Sequence, residues 1–461
     1  MLKHRVRRVH LVGIGGSGMC GIAEVLLNLG YEVTGSDLKR SEVTERLERQ
    51  GARVDVGHDG RRVAGAQVVV YSSAVDRDNP ELVEARRSGI PLIRRAEMLA
   101  EFMRLKYGIA VAGTHGKTTT TSMVGLVLAE AGLDPTVVIG GRLNNLGSHA
   151  RPGAGDYLVA EADESDASFL FLTPVIAVVT NVDDDHLDHY RSLERLQAAF
   201  VEFAGKVPFY GTVIACADDP GVRLILPELS RRVVTYGLEP GAELRGDAVS
   251  LAGAGSSCTV TRGGTALGEL RLRVPGLHNV LDALAAVAVG LELDVPFATA
   301  ARALEGYAGV ARRLQLKGEA GRVLVYDDYG HHPTEVRATI AAARQLVTAP
   351  GAKLRVLFQP HRYSRTNLLR DAFGPAFEAA DEVVLTEIYP AGEAPIPGVT
   401  GRVLHEVVRR HGKPAVEFEP ELEAACRRIA DRARPGDVIL TLGAGDVGRC
   451  GARILALLGK G

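Results

Sequence analysis

Residues 110–128 read AVAGTHGKTTTTSMVGLVL, an apolar run followed by a glycine turn, one lysine and a stretch of hydroxyl and apolar residues. Within it Gly113, Gly116, Lys117 and Thr118 fit G-x-x-G-K-T, two residues shorter between the glycines than the usual phosphate loop. Glycines let backbone N–H groups face a phosphate at a helix N-terminus. The stretch therefore predicts a strand, a phosphate-binding turn and a helix. A capped helix with an exposed lysine is the plain alternative.

Length and composition favour a globular protein of several domains. At about 150 residues per domain, 461 residues suggest about three domains. The 54 basic residues nearly balance the 56 acidic ones, and no long basic run is present, so we expect no nucleic-acid partner. Five cysteines without a CxxC pair favour a reducing cytoplasm. No apolar run reaches the roughly 20 residues of a membrane helix.

Short β-rich runs alternate with helical stretches along most of the chain, which is the pattern of parallel α/β domains. We place the first boundary near Lys106, after the helical AEMLAEFMRL, and the second near Arg312. Residues 244–274 interrupt the pattern as a glycine-rich meander of short antiparallel strands, and residues 306–319 interrupt it again. A long alanine-rich helix is predicted from Asn279.

Acidic residues follow two predicted strands of the central region. The run YLVAEA ends at Glu161, and Asp163, Glu164 and Asp166 come just beyond it. The run VIAVVTN is followed by an acidic turn at 183–186 that ends in His186. Ligands of open α/β sheets collect at strand carboxyl ends, and Mg²⁺ prefers oxygen ligands, so a magnesium nucleotide site is the leading interpretation.

The acidic turn leaves two alternatives open. His186, Asp188 and His189 are close enough in sequence for a zinc site, although no distant further ligand is evident. A solvated acidic turn without a metal is the other.

A second glycine loop lies near the N-terminus. Gly13, Gly15 and Gly18 match G-x-G-x-x-G after the run VHLVG, and Asp37 ends the next predicted strand. By itself this pattern fits NAD, FAD or any other diphosphate, including that of a UDP-sugar, and a turn that binds nothing stays possible. A third match at 443–448 lies too close to Gly461 for a second strand, so we interpret it as the tight entry to a last helix.

Polar loops follow two predicted strands of the C-terminal region. The segment DDYGHHPTE (327–335) carries carboxylates and histidines, and Pro333 is predicted to start a helix. The segment QPHRYSRT (359–366) carries His361, Arg362 and Arg365. An arginine at such a position suits a carboxylate, which the planar guanidinium can bind with two hydrogen bonds. Surface arginines and helix caps are the alternative.

Ten motifs occur together in the order seen in the Mur ligases, and the chain resembles that family over nearly its whole length. They are GIGGSGM, SSAV, RRAEMLAEFMR, AGTHGKTTTT, EADESDASF, TNVDDDHLDHY, PGLHN, GVARRL, DDYGHHPTEV and QPHRYSRT. The resemblance implies an α/β fold of three domains. They are an N-terminal Rossmann-like domain (1–106) for a UDP-substrate, a central P-loop ATPase-type domain with the small β meander (107–311), and a C-terminal Rossmann-like domain (312–461) that helps bind an amino acid.

The resemblance also implies an activity, that of an ATP-dependent carboxylate-amine ligase in peptidoglycan precursor synthesis. EADESDASF and DDYGHHP favour the branch that joins L-alanine to UDP-N-acetylmuramate through an acyl phosphate, with ATP and two Mg²⁺ as cofactors. We expect a cytoplasmic monomer or homodimer without a membrane partner. The alternatives are a related ligase that adds a recycled tripeptide to the same UDP-sugar and, with less support, an NAD-dependent oxidoreductase.

Site residues follow from the matched motifs. For ATP they are Gly113, Thr114, His115, Gly116, Lys117, Thr118, Thr119, Asn279, Arg313 and Asp328. For the UDP-substrate they are Gly13, Gly15, Gly16, Ser17, Gly18, Asp37, Ser72 and Ser73. For the amino acid they are Tyr329, His331, Arg362 and Arg365, and for the metal Thr118, Glu161 and His186. Those implied in catalysis are Lys117, His186, Arg313 and His331. Asp282 and His149 depart from the family, which usually has Asn at both positions.

Overall fold

The computed structural model describes residues 6–72, 74–139, 150–412 and 414–459, and it contains three sheets of five, ten and six strands. The chain divides into two compact units. The first unit comprises Met1–Asp247, Val260–Gly268 and Leu281–Leu304, and the second comprises Ala248–Thr259, Glu269–Val280 and Glu305–Gly461. Within the described ranges, every helix is too short or too polar to cross a bilayer.

The first sheet is parallel and has the strand order β3-β2-β1-β4-β5, as in a Rossmann-like domain. Its strands are β1 (Arg8–Val12), β2 (Glu32–Asp37), β3 (Arg53–Val56), β4 (Val68–Tyr71) and β5 (Leu92–Arg94). Its helices are α1 (Ser17–Asn28), α2 (Glu42–Arg49), α3 (Pro80–Arg87) and α4 (Arg95–Leu105). All five strands were predicted from their β-rich runs.

The second sheet has the order β15-β14-β13-β12-β11-β10-β6-β9-β7-β8. Its strands are β6 (Tyr107–Ala112), β7 (Thr136–Val138), β8 (Ala150–Arg151), β9 (Tyr157–Glu161), β10 (Ile176–Val179), β11 (Thr212–Cys216), β12 (Val233–Gly237), β13 (Leu244–Ala252), β14 (Gly255–Arg262) and β15 (Thr265–Leu272). The helices in this part of the chain are α5 (Lys117–Glu130), α6 (Leu187–Tyr190), α7 (Leu193–Gly205), α8 (Pro220–Ile225), α9 (Leu277–Glu292) and α10 (Phe297–Glu305). The meander is β13, β14 and β15, whose two-residue turns can join only antiparallel neighbours.

The middle of this sheet determines where the loops lie. Strand β6 pairs in parallel with β9 on one side and with β10 on the other. Val111 of β6 is opposite Glu161 of β9 and Val178 of β10. The segments that follow β6, β9 and β10 therefore leave the same edge of the sheet, next to one another.

The third sheet has the order β16-β17-β21-β18-β19-β20 and is parallel except for β16, which pairs antiparallel with β17. Its strands are β16 (Gln315–Ala320), β17 (Val323–Asp328), β18 (Leu354–Phe358), β19 (Glu382–Leu385), β20 (Ala415–Phe418) and β21 (Val438–Leu442). Its helices are α11 (Pro333–Gln345), α12 (Tyr363–Leu368), α13 (Gly401–Arg410), α14 (Leu422–Arg432) and α15 (Cys450–Leu458). As predicted, Pro333 starts a helix, and the third glycine loop leads into the last helix.

Four strands were not predicted. Strand β16 lies in the segment that was interpreted as an interruption; it is an edge strand whose sequence QLKGEA alternates apolar and polar residues over too few positions to stand out. Strand β20 is the opposite edge, and β7 and β8 are only three and two residues long. The edge strands bury few side chains, so their sequences carry little of the apolar signal on which the prediction depends. Strand β7 is interior and fully buried, but three residues are too few to show a pattern.

One apolar core runs through the first unit and includes side chains of both of its sheets. Leu11 and Met19 come from the N-terminal part, and Phe169, Phe200 and Phe203 from the central part. The ring of Phe169 lies 5.3 Å from that of Phe200 and 5.1 Å from that of Phe203, measured between centroids. Each of the three rings is fully buried.

Phe200→Ala is expected to lower the free energy of unfolding by about 3–5 kcal/mol, because it removes a fully buried ring and leaves a cavity. Phe209→Ala is the matched control, since the ring of Phe209 is 92% exposed, and it should change stability by less than about 0.5 kcal/mol. Urea denaturation of both variants measures the difference. Similar losses in the two variants would contradict the described core.

Candidate functional site

The lysine loop joins β6 to α5, as the sequence predicts. Its glycines adopt conformations that other residues avoid, with φ of 143° at Gly113 and 80° at Gly116. A Cβ atom at Gly113 would lie 1.9 Å from Oγ1 of Thr180, and one at Gly116 would lie 2.7 Å from Oδ1 of Asp282. Glycine at these two positions therefore allows the loop its shape. Helix α5 begins directly after the loop, at Lys117 and without a side-chain cap, and a helix N-terminus of this kind can bind an anion.

The segment after β10 holds the loop in place through a set of hydrogen bonds. The side chain of Asn181 accepts a bond from the N–H of His115 (2.7 Å) and donates one to the His115 carbonyl (3.0 Å). The Thr180 hydroxyl donates to the same carbonyl at 2.6 Å. The N–H of Asp183 donates to Oγ1 of Thr114 at 2.9 Å, and the Asp183 carboxylate lies 3.0 Å from Nε2 of His115. The strand that carries the acidic turn thus also fixes the loop.

Lys117 is the first residue of α5, and its ammonium group is turned back onto the loop. Its Nζ donates to the carbonyl oxygens of Gly113 (2.6 Å) and Thr114 (3.1 Å) and lies 2.9 and 2.8 Å from the two carboxylate oxygens of Glu164. Burial by itself lowers the pKa of Lys117, but the negative charges of Glu164 and Asp163 outweigh it, so the pKa is raised. Burial raises the pKa of Glu164 to about 7, although Lys117 opposes this shift.

The predicted metal residues lie around the same loop. Glu161 is the last residue of β9, next to Val111 in the register, and Thr118 follows Lys117 at the start of α5. His186 adopts a left-handed conformation (φ 57°), and its Nε2 lies 3.6 Å from Glu164 Oε1. A hydroxyl and a carboxylate suit Mg²⁺, whereas an imidazole is a less usual ligand for it.

Neither alternative for the acidic turn gains support. Of the three zinc candidates, His189 is exposed, and the side chain of Asp188 lies outside the described residues. Asp185 is buried, and Asp183 bonds the loop, so the turn is more than a solvated acidic surface.

Asp282 is a departure from the family, and the structure gives it a partner. Its Oδ1 accepts a hydrogen bond of 2.9 Å from the hydroxyl of Thr120, one turn into α5. Both side chains are buried. A carboxylate serves this contact as well as an amide oxygen would, because the threonine is the donor. His149, the other departure, lies outside the described residues.

The N-terminal glycine loop follows β1 and leads into α1, again as predicted. The N–H groups of Gly13 and Ile14 both donate to the Ser36 carbonyl, at 2.8 and 3.0 Å. The N–H of Gly15 donates to Oδ2 of Asp37 at 2.9 Å, so the predicted acid at the end of β2 ties the loop to its neighbouring strand. A Cβ at Gly15 would lie 2.9 Å from that oxygen. Helix α1 begins without a side-chain cap, which leaves its first N–H groups available to an anion.

The other predicted UDP-substrate residues lie on both sides of this loop. Gly16 is the residue before α1 and Gly18 packs against Arg95, whose Nη1 would lie 2.7 Å from a Cβ at that position. Ser72 follows β4, the neighbour of β1, and its hydroxyl accepts from the N–H of Ala74 at 3.3 Å. Ser73 and the side chain of Ser17 lie outside the described residues.

In the second unit two adjacent carboxylates organise the segment after α10. The buried Asp328 accepts from the N–H of Leu314 and the N–H of Gly330, both at 2.7 Å. The buried Asp327 accepts from Nε of Arg312 at 3.1 Å and from the hydroxyl of Thr441 at 2.7 Å. Burial raises the pKa of both carboxyl groups. Asp328 is thus held by backbone donors, and its side chain fixes the turn that carries the next site residues.

The neighbouring residues Arg312 and Arg313 make different contacts. Arg312 has a φ of 59°, donates to the Gly443 carbonyl at 2.6 Å and stacks 4.9 Å above the ring of Tyr329, so it ties its segment to the third glycine loop. Arg313 lies 3.6 Å from Glu335, in a looser ion pair, and 5.7 Å from the same ring.

The predicted amino-acid residues form one cluster with two further rings. Nδ1 of His331 donates a hydrogen bond to the Tyr329 carbonyl (3.0 Å). The His331 ring lies 5.5 Å from that of His361, which stacks on Tyr389 at 5.7 Å. Arg362 has a φ of 68°, and its Nε is buried without a hydrogen-bond partner among the described residues. Burial lowers the pKa of His361 to about 3, and the charges of His331, Arg365 and Arg362 act in the same direction.

The histidine and asparagine of the PGLHN motif begin α9. The Asn279 side chain donates to the Pro275 carbonyl at 2.7 Å and lies 3.2 Å from Nε2 of His278. Burial, together with the charge of Arg313, lowers the pKa of His278 to about 4, so this histidine is neutral. In this structure the amide of Asn279 is engaged with its own chain.

Several residues of these sites were not identified from the sequence. Glu164 was noted only as an acid beyond Glu161, yet it is the charged partner of Lys117. Asn181 was noted only as the end of a strand, yet its side-chain amide forms hydrogen bonds with both the N–H and the carbonyl of His115 in the loop. Arg312 and Glu335 lie within the GVARRL and DDYGHHPTEV motifs but were given no role, and Tyr389 lies in a segment without a motif. Sequence could have indicated Glu164 and Asn181 through their position after a buried strand, but not their partners.

Comparison with known proteins matches three successive parts of the chain to domains of one family. Residues 8–107 match the description "Mur ligase family, catalytic domain", residues 111–290 match "Mur ligase middle domain", and residues 312–445 match "Mur ligase, glutamate ligase domain". A UDP-N-acetylmuramate–L-alanine ligase of Geobacter sp. (strain M21) is 55% identical over 454 residues, which is 98% of each chain.

Two solved structures extend the comparison to the fold. The crystal structure of the UDP-N-acetylmuramate–alanine ligase from Thermotoga maritima has a TM-score of 0.81 and 31% identity, and the match covers 97% of this chain and 98% of that one. The murein peptide ligase from Psychrobacter arcticus has a TM-score of 0.70 and 25% identity, with 98% and 99% covered.

Gly113→Ala is expected to lower the free energy of unfolding by about 2–4 kcal/mol, because the added methyl group is strained at this φ and collides with Thr180. Gly132→Ala provides the control, since Gly132 also has a positive φ (75°) but has nothing within 4 Å of its Cβ position. Gly132→Ala should lower the free energy of unfolding by only about 1 kcal/mol. Chemical denaturation gives both values, and equal losses would show that the loop is not held against Thr180.

Acid is expected to weaken the fold partly through His361. Its pKa is lower in the folded chain than the usual 6.5, so the unfolded chain takes up the proton first and stability is lost as the pH falls below that value. When the pH falls from about 7 to about 5, the free energy of unfolding should decrease by about 1 kcal/mol more in the native protein than in the His361→Gln variant. Urea midpoints measured at both pH values test this, and parallel losses would contradict the lowered pKa.

Proposed function

The chain belongs to the Mur ligase family, and from this premise we propose that it is an ATP-dependent ligase that joins L-alanine to the lactyl carboxylate of UDP-N-acetylmuramate, a step of peptidoglycan precursor synthesis. A relative that is 55% identical over 98% of the chain bears this activity in its name. Similarity of that extent supports the same reaction.

The observation that carries the proposal is the group of residues at the edge of the second sheet. The Lys117 loop, Glu161 and the 181–186 turn follow three adjacent parallel strands. The two loop glycines leave no room for a Cβ, and the N-terminus of α5 lies behind them. This arrangement fits the phosphates of a nucleoside triphosphate, which backbone N–H groups, an ammonium group and a helix N-terminus can bind together.

The reaction needs activation because a carboxylate is a poor electrophile. An oxygen of the lactyl carboxylate attacks the γ-phosphorus of ATP and ADP leaves, which gives an acyl phosphate. The neutral amine of L-alanine then attacks the acyl carbon, the C–O bond to phosphate breaks, and the amine loses a proton as the amide forms. Lys117 offsets the charge on the transferred phosphoryl group, with Arg313 and His331 as further catalytic residues. Rate acceleration comes mainly from positioning and charge neutralisation.

Magnesium fits the oxygen donors next to the loop. The Thr118 hydroxyl and the Glu161 carboxylate would hold one ion, and His186, with its less usual nitrogen ligand, a second. When bound, the metal neutralises charge on the phosphate oxygens. The other nucleotide residues proposed are Gly113, Thr114, His115, Gly116, Thr119, Asn279 and Asp328.

The two remaining sites would bind the substrates that are joined. The N-terminal glycine loop with Asp37 and Ser72 would hold the diphosphate and ribose of the UDP-sugar, since its N–H groups and the uncapped α1 suit an anion. Tyr329, His331, Arg362 and Arg365 would hold L-alanine, with an arginine on its carboxylate. The buried Nε of Arg362, which has no partner among the described residues, supports a ligand there.

The proposal also includes the domain boundaries, the cellular location and the oligomeric state of the enzyme. We assign residues 1–106 to the UDP-substrate, 107–311 to ATP and 312–461 to the amino acid, in a cytoplasmic enzyme that is a monomer or a homodimer. The oxidoreductase alternative is not favoured, because it leaves the lysine loop without a role. The tripeptide ligase is the nearer alternative, and the structural likeness to the murein peptide ligase is the weaker of the two compared, with a TM-score of 0.70 against 0.81.

Steady-state release of ADP should require ATP, UDP-N-acetylmuramate and L-alanine together, and Lys117→Ala should reduce turnover by about 10³-fold, because the transferred phosphoryl group loses its positive partner. A coupled ADP assay with each substrate omitted in turn measures both effects. Lys206→Ala is the control, since Lys206 pairs with Glu202 on the surface of α7 and should keep full turnover.

Three outcomes would count against the proposal. Full turnover of Lys117→Ala would remove the lysine loop from the mechanism. Steady-state ADP release that is independent of L-alanine would indicate a plain ATPase. Preference for the tripeptide over L-alanine, when both compete in one reaction, would favour the related ligase.

A further inference from the structure

Glu164 is a charged residue of the lysine loop region to which the proposed mechanism gives no role. Its side chain is completely buried, and both of its carboxylate oxygens lie within 2.9 Å of the Lys117 ammonium nitrogen. The backbone carbonyl of Glu164 accepts a 2.6 Å hydrogen bond from the Tyr190 hydroxyl, which fixes the segment. A buried acid beside the phosphate-binding lysine therefore needs an explanation.

The ammonium group of Lys117 has all of its donors engaged in this structure. An ammonium has three N–H bonds. Here they face the Gly113 carbonyl at 2.6 Å, the Thr114 carbonyl at 3.1 Å and the carboxylate of Glu164. A phosphate that binds Lys117 must therefore displace one of these partners.

Glu164 is the partner that a phosphate would displace. The two carbonyl groups belong to the loop itself and move with it, whereas Glu164 follows another strand. It is also the only anion among the three, and an anion competes directly with phosphate for the same charge. Its Oε1 already lies 3.6 Å from Nε2 of His186, so a carboxylate released by Lys117 keeps a polar neighbour.

We propose that Glu164 is a positioning residue that holds the Lys117 ammonium on the loop and yields it to the phosphates of a nucleotide that binds there. The inference rests on the proposed function only in taking this loop as the triphosphate site. Because the loop with Glu164 on Lys117 is not competent to bind phosphate, the apparent affinity for nucleotide is reduced by the fraction of molecules in that state.

Glu164→Gln is expected to bind nucleotide more tightly than the native protein, by about threefold to tenfold, because the amide no longer competes as an anion. Isothermal titration calorimetry with Mg²⁺ and the non-hydrolysable β,γ-imido analogue of ATP measures the affinity, without either of the other substrates. A residue with only a structural role would weaken binding when it is replaced, so a gain of affinity separates the two cases.

Two controls identify the cause of the gain. Asp163→Asn removes the same charge one residue away, where the carboxylate lies 3.3 Å from Arg95, and it measures the general effect of a less negative site. Tyr190→Phe removes the hydroxyl that fixes the segment and keeps the Glu164 carboxylate. The gain for Glu164→Gln should exceed that for Asp163→Asn by at least about threefold, and Tyr190→Phe should show none.

Unchanged or weaker binding by Glu164→Gln, or a gain equal to that of Asp163→Asn, would overturn the inference. If Glu164→Gln does not fold, Glu164→Asp replaces it, since the shorter side chain withdraws the anion from Lys117 and should also raise the affinity. Normal nucleotide binding without alanine ligation would contradict the proposed function instead, and the comparison among these variants would still decide the role of Glu164.

Discussion

The parallel register of β6 between β9 and β10 is the constraint on which the nucleotide site depends. It places the loop after Ala112, the carboxylate of Glu161 and the amide of Asn181 at one edge of the sheet. Each of these strands is buried and apolar, so the register is set by the core and not by the polar residues that follow it. The chemistry of the edge is therefore a consequence of core packing, and it requires no interaction between the polar groups to bring them together.

The sheets position the loops, and buried ion pairs then select the conformations that the loops adopt. Lys117 faces Glu164, and Arg312 faces Asp327, and in both pairs the carboxylate is completely buried. A buried ion pair contributes little net stability, because the desolvation of both groups offsets their attraction. Such pairs are therefore better explained by the conformations they select. At Lys117 the selected conformation is that of a loop with its cation already in place, and at Arg312 it is a segment tied to the Gly443 turn.

Much of the fold could be predicted because buried parallel strands have dense apolar sequences. Strands β1 and β4 of the first sheet and β6, β9 and β10 of the second stand out in this way. Edge strand β16 does not, because it buries few side chains, and β7 and β8 are too short to show a pattern, although all three residues of β7 are buried. The site residues were predicted mostly by motif, whereas their partners were not. Nothing in the sequence indicates that Thr180 closes on Gly113, that Asp282 bonds Thr120 or that Tyr389 stacks on His361, since these contacts join positions far apart in the chain.

The central claim is that the turn around Lys117 binds a triphosphate beside Glu161 and the 181–186 segment. Hydrogen–deuterium exchange of the whole protein, with and without the Mg²⁺ complex of the imido analogue, tests it most directly. Slower exchange of backbone amides at 113–119, together with 161–164 and 180–186, is the result expected from a nucleotide in this loop. Unchanged exchange at 113–119, with protection confined to the N-terminal glycine loop or the C-terminal sheet, would contradict it.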